Sequence, residues 1–218
     1  MTPSHLASAK YVPSRALRLS EFLALYGGGP LLVLALRQPG ILFAGLWVGA
    51  IIAWLSIRGR LPVSHDVHRE ILAIFVRFGI LGSALTVLAY FLWPTHFLDL
   101  PRHRPGFWLF IMGLYPLLSV WPQEMLYRGF LFHRYQSLFV TSTRRILASA
   151  ITFAFAHVIF LNWIAIALTF AGGFLFARDY ERHRSLRLAC LEHSLYGCLI
   201  FTIGMGRFFY TGAAWHHG

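Results

Sequence analysis

Three short stretches carry residue types that do acid–base work in a chain that is otherwise apolar. The first, Trp121-Pro122-Gln123-Glu124-Met125-Leu126-Tyr127-Arg128-Gly129, holds an acid with an arginine four residues later. Residues at that spacing share a helix face, so Glu124 and Arg128 are able to pair. Such a pair either fastens a helix end or forms part of a site. In the second, Phe153-Ala154-Phe155-Ala156-His157, an aromatic ring precedes a histidine by one turn and can cover it. In the third, His193 follows Glu192 and precedes Gly197 by one turn. Each histidine alone reads equally as a hydrogen-bonded structural group. An acid and two histidines together suggest a polar site, suited to chemistry or to ion passage. Ionisable groups inside a bilayer cost roughly 2.5 kcal/mol or more, so their presence there needs a reason.

The surroundings make the bilayer the right frame. Of 218 residues, 57% are hydrophobic and 12% are charged, against about 25% charged in ordinary soluble domains. The apolar residues come in blocks that approach the roughly 20 helical residues needed to cross a hydrocarbon core. Spans are expected over 21–36, 41–57, 71–93, 107–127, 146–161, 163–177 and 188–210. The expectation is an all-α, polytopic membrane bundle of about seven transmembrane helices, within a range of six to eight. Residues 1–20 read as a cytoplasmic tail rather than a secretory signal, 21–210 as one transmembrane domain, and 211–218 as a C-terminal tail. Gly27-Gly28-Gly29-Pro30 is expected to interrupt the first span, and Arg37 with Pro39-Gly40 to turn the chain into the second.

The net charge of +11 would suggest a nucleic-acid partner in a soluble protein. Here the basic residues sit in short inter-span loops, and topology accounts for them without nucleic acid. Cytoplasmic loops are enriched in Lys and Arg. The N-terminal tail and the second, fourth and sixth loops hold thirteen, and the alternate loops three. That bias orients seven spans with the N-terminus in the cytoplasm. The fourth span then runs inward and the fifth and seventh outward, which is expected to bring Glu124, His157 and His193 to one level in the cytoplasmic half. Cys190 and Cys198 lie in one apolar segment and read as small packing residues.

Taken in order on this background, the three stretches resemble the CPBP family of intramembrane proteases. That family includes CAAX-processing endopeptidases of the Rce1 kind and bacterial bacteriocin-processing or immunity proteins. Its motifs, Glu-Glu-x-x-x-Arg, Phe-x-x-x-His and His-x-x-x-Asn or a similar small polar residue, correspond to Gln123-Glu124-x-x-x-Arg128, Phe153-x-x-x-His157 and His193-x-x-x-Gly197. The resemblance covers a protease-like core of about 105–210. It implies Glu124, His157 and His193 as catalytic residues, with Arg128, Gln123, Phe153 and Gly197 in support. Two positions depart from the motifs. Gln123 stands where the family has the glutamate thought to activate water, and glutamine takes no proton at neutral pH. Gly197 stands where the family has the asparagine thought to help stabilise the oxyanion.

Peptide hydrolysis needs a water, a base to activate it and donors for the developing oxyanion. In a metal-free arrangement Glu124 and His157 hold and activate water, His193 donates to the oxyanion and Arg128 orients Glu124. Alternatively Glu124, His157 and His193 bind zinc as a two-histidine, one-carboxylate set with an open position. The zinc arrangement takes up the central carboxylate and leaves only Glu192, which adjoins His193 and faces elsewhere, as a base. No His-Glu-x-x-His helix is present. The metal-free arrangement, with no cofactor, is therefore favoured. The expected partners are the lipid bilayer and a membrane-associated peptide or protein substrate, and the expected location is a bacterial cytoplasmic membrane. Two other classes fit the same residues: an inactive relative serving as a scaffold, immunity or substrate-binding protein, and a small proton-coupled transporter.

Overall fold

Alternating apolar blocks and short polar turns leave the chain little choice but antiparallel helices, and helices are what forms. The computed structural model describes residues 14–60, 67–210 and 215. The expected N-terminal tail up to residue 13 and all of the expected C-terminal tail except Trp215 lie outside the described residues. Every element among the described residues is helical. We number the long ones α1 (Arg15–Leu36), α2 (Pro39–Ile57), α3 (Val67–Leu92), α4 (Pro105–Arg134), α5 (Ser142–Phe160), α6 (Trp163–His183) and α7 (Leu186–Thr202).

Five of these regions are long and apolar enough to cross a membrane: Arg15–Leu36, Pro39–Ile57, Arg69–Leu92, Pro105–Arg134 and Ser142–Phe160. This is an integral membrane protein. The expected count of about seven is reduced to five by that measure for physical reasons. The last third of α6 carries Arg178, Asp179, Glu181 and Arg182, and α7 is only 17 residues long. The outer face is a lipid-compatible shell: Leu32, Leu72, Ile80 and Phe91 are each more than half exposed. An apolar shell of that extent would be a liability in water.

Local chemistry explains the helix ends. Ser14 Oγ accepts from Leu17 N at 3.2 Å and starts α1 several residues before the apolar run. The glycine triplet does not break α1; the helix widens into a π-turn over Ala24–Gly28 and continues. Arg37, with φ 50°, closes it. In α4, π-turns over Pro116–Val120 and Met125–Phe130 flank a short α-helical stretch, Trp121–Glu124. Pro116 and Pro122 lack the N–H that a regular ladder uses, and π-turns of this kind recur at functional sites.

Aromatic packing and ion pairs hold the bundle together where the basic loops gather. Tyr26 on α1 meets Tyr127 on α4 edge to face at 5.4 Å, and Tyr127 meets Phe153 on α5 at 5.3 Å. Tyr26 also donates to the Leu126 carbonyl at 2.7 Å. Arg134 grips both oxygens of Glu21, at 2.9 and 2.7 Å. Glu181 pairs with Arg145 and Arg184. Asn162 caps α6, its Oδ1 accepting from Ile164 N at 2.8 Å, and makes the tight turn after α5.

Candidate functional site

Glu124 is fully buried, and so is Arg128 one turn later. The guanidinium donates Nη1–H to Glu124 Oε1 at 2.9 Å and Nη2–H to the Gly173 carbonyl of α6 at 3.2 Å. It also lies over the rings of Phe153 and Phe176, at 4.4 and 5.5 Å from their centroids. Gly173 permits this approach. A Cβ there would stand 3.0 Å from Phe153 Cδ1 and 3.3 Å from the Ala150 Cα. The same Glu124 oxygen contacts His193 Nδ1 at 2.7 Å. The carboxylate thus binds two groups from two helices, while Oε2 has no hydrogen-bond partner among the described residues. Because Nδ1 faces a carboxylate, it carries the proton.

His193 Nε2 meets the hydroxyl of Tyr115 at 3.1 Å. Tyr115 is the last residue before the first π-turn of α4, and its ring leans edge-on against Phe201 at 5.4 Å. Gly197 makes the room. A Cβ at 197 would fall 2.3 to 2.6 Å from Tyr115 Cε1, Oη and Cζ. Gln123 donates Nε2–H to Ser119 Oγ at 2.8 Å.

His157 is brought near but does not join the hydrogen-bonded chain. Its Nδ1–H donates to the Phe153 carbonyl at 2.7 Å, which leaves Nε2 as the lone-pair nitrogen. No hydrogen-bond partner for Nε2 is found among the described residues. Phe153 separates the two histidines, with its ring centroid 4.7 Å from His157 and 5.5 Å from His193. Phe176 stacks on the other side of His193 at 4.9 Å. His157 sits where α5 tightens into the 3₁₀ turn His157–Phe160.

A second ionic cluster lies across α3, α6 and α7. Arg77 Nε donates to Glu192 Oε1 at 2.8 Å, and its Nη2 pairs with Asp179. Glu192 therefore faces away from His193, as its sequence position implies. Cys190 and Cys198 are free thiols.

Residues 104–199 match the family model described as type II CAAX prenyl endopeptidase Rce1-like. Over these residues the chain is similar to the Rce1-like family. No curated protein and no solved structure matches the chain.

The matched region contains all three stretches singled out in the sequence. Its Glu124, Arg128 and His193 are in direct contact, and its His157 is one aromatic ring away. Sequence reasoning missed Tyr115, Phe176 and Gly173. The one trace of Tyr115 was the glycine at 197, whose missing side chain leaves space for a ring from another part of the chain. Two surface grooves, of about 310 and 380 Å³, lie along α3 and α7 and share Phe78 and Leu199. Neither is lined by Glu124, His157 or His193. Among the described residues no three His, Cys, Asp or Glu side chains are grouped as a metal ion requires. Glu124 Oε2 is unpartnered among the described residues, but a zinc set fits poorly at this site because His157 and His193 lie on either side of the Phe153 ring.

Proposed function

We propose that this protein is an intramembrane endopeptidase of the CAAX-protease type that cleaves a membrane-associated peptide by metal-free, histidine-activated water. The observation that carries this reading is the division of labour between the two histidines. His157 has an anchored Nδ1–H and an unengaged Nε2. His193 is bound through Nδ1 to a carboxylate that Arg128 neutralises. In this mechanism the water proton passes to His157 Nε2, and the hydroxide oxygen bonds to the scissile carbonyl carbon. The carbonyl π pair moves onto oxygen, on the side of the site where His193 is held by Glu124. Collapse breaks the C–N bond, and His157 returns its proton to the departing nitrogen. Glu124 and Arg128 orient His193, and Phe153 spaces the two rings. Neither Gln123 nor Gly197 takes a chemical step.

The direct test is cleavage of a membrane-tethered peptide by the purified protein in proteoliposomes, with and without a strong zinc chelator. Cleavage that persists at an unchanged rate with chelator is the expected result. An inactive wild type would reject the enzyme reading in favour of an inactive relative. Activity abolished by chelator and restored by zinc would reject the metal-free mechanism.

The same reading sets the protein in a bacterial cytoplasmic membrane with its N-terminus in the cytoplasm, supported by the thirteen-to-three bias of basic loop residues. Five or seven crossings both put the C-terminus on the opposite side. Reporter fusions at the two ends are expected to report opposite compartments. The same compartment for both would require an even number of crossings.

A further inference from the structure

We propose that Tyr115 is a catalytic residue of this site, its phenol O–H being the donor that meets the developing oxyanion. The inference rests on the endopeptidase reading above and adds to it a residue that no motif contains. It comes from four contacts in series. Arg128 donates to Glu124 at 2.9 Å, Glu124 holds His193 Nδ1 at 2.7 Å, and His193 Nε2 meets Tyr115 Oη at 3.1 Å. The fourth is the fit of the phenol over Gly197, where any Cβ would overlap it.

The series has a direction. A charged guanidinium stands behind a charged carboxylate, which stands behind an imidazole. With its proton on Nδ1 facing Glu124, the imidazole accepts the Tyr115 O–H at Nε2. That hydrogen turns from Nε2 to the carbonyl oxygen as negative charge develops there. Arg128 balances the charge of Glu124. One net negative charge develops on the carbonyl oxygen. A hydrogen-bond chain in a low-dielectric site polarises its members cooperatively, and donors fixed in advance toward developing charge contribute the most to such reactions.

Gly197 fits the same account. A side chain at this position would project from α7 one turn beyond His193, into the volume the phenol now fills. Here α7 supplies only the space, and α4 supplies the hydroxyl. Phe201 sets the tilt of the ring from one side. The π-turn beginning at Pro116 sets the backbone from which the side chain leaves α4. During turnover the phenol neither gains nor loses a covalent bond. It lends a hydrogen bond while water adds to the carbonyl carbon, and takes it back as the C–N bond breaks.

The test uses Tyr115→Phe, which keeps the ring over Gly197 and against Phe201 while removing the hydroxyl. In the proteoliposome assay kcat should fall about 10²–10³-fold, the scale of losing one oxyanion donor, with KM changed less than about threefold. The second readout is binding of two non-cleavable peptides of the same sequence, one with a tetrahedral phosphonate at the scissile position and one with a planar amide mimic. The variant should lose phosphonate affinity by a factor matching its loss in kcat/KM and keep its affinity for the planar mimic. A merely structural tyrosine would weaken both ligands together. The inference is overturned if the variant retains kcat within about threefold, gains activity, or loses both ligands equally. If wild type cleaves nothing, the endopeptidase reading fails first. If wild type cleaves and only the Tyr115→Phe result is negative, this inference fails alone.

Discussion

Replacing Arg128 by methionine is expected to destabilise the folded protein by about 3–5 kcal/mol, the usual consequence of removing one partner of a buried ion pair. Arg128 and Glu124 are both fully buried, so the substitution would strand the carboxylate in a low-dielectric interior. Arg128 has further contacts to lose: the Gly173 carbonyl on α6 and the faces of Phe153 and Phe176. Methionine supplies comparable apolar volume, so the loss reflects charge and hydrogen bonding more than a void. The measurement is equilibrium unfolding in mixed detergent micelles. The double variant Glu124→Gln/Arg128→Met is expected to recover most of the loss, because an apolar or neutral replacement of both partners is often nearly neutral. A single variant within about 1 kcal/mol of wild type, or a double variant no better than the single, would contradict this picture of the site.

Replacing His157 by glutamine is expected to have the opposite signature. Stability should hardly move, because His157 is half-buried and its hydrogen bond runs to its own helix. Cleavage should fall about 10²–10⁴-fold, the range for losing a positioned general base. Glutamine preserves approximate size and a donor for the Phe153 carbonyl, so the change isolates proton acceptance. Equal losses of stability and activity would point to His157 as a packing residue. Undiminished cleavage would remove it from the mechanism.

How far the sequence foretold this depends on the range of each interaction. The Glu124–Arg128 pair follows from spacing along one helix, and the fold forms it. The contact between Glu124 and His193 joins residues 69 apart. No periodicity predicts it, and only the ordered resemblance of the three stretches brought them together. Tyr115 and His193 are 78 residues apart, and a tyrosine in an apolar span carries no mark of function. Gly197 is its partner signal: the sequence shows only a missing polar residue there, and the structure shows the tyrosine ring in that space. Arg77 joins Asp179 and Glu192 across 102 and 115 residues for the same reason, by tertiary packing alone. Hydropathy starts the fifth span at 146, whereas Thr141 Oγ1 caps Arg144 N at 3.3 Å and starts the helix at Ser142. The span count depended on α6, where Asp179 and Glu181, which pair with Arg77 and Arg145 of other helices, lower the hydropathy together with Arg178 and Arg182.

The central claim is that this site hydrolyses a peptide bond with water that His157 activates. Its most direct measurement is mass spectrometry of the peptide products formed in proteoliposomes in H₂¹⁸O, for wild type and His157→Gln side by side. One ¹⁸O atom is expected in the new C-terminal carboxylate with wild type, and product formation slowed about 10²–10⁴-fold with the variant. No product from wild type, product without ¹⁸O, or equal product from both proteins would contradict it.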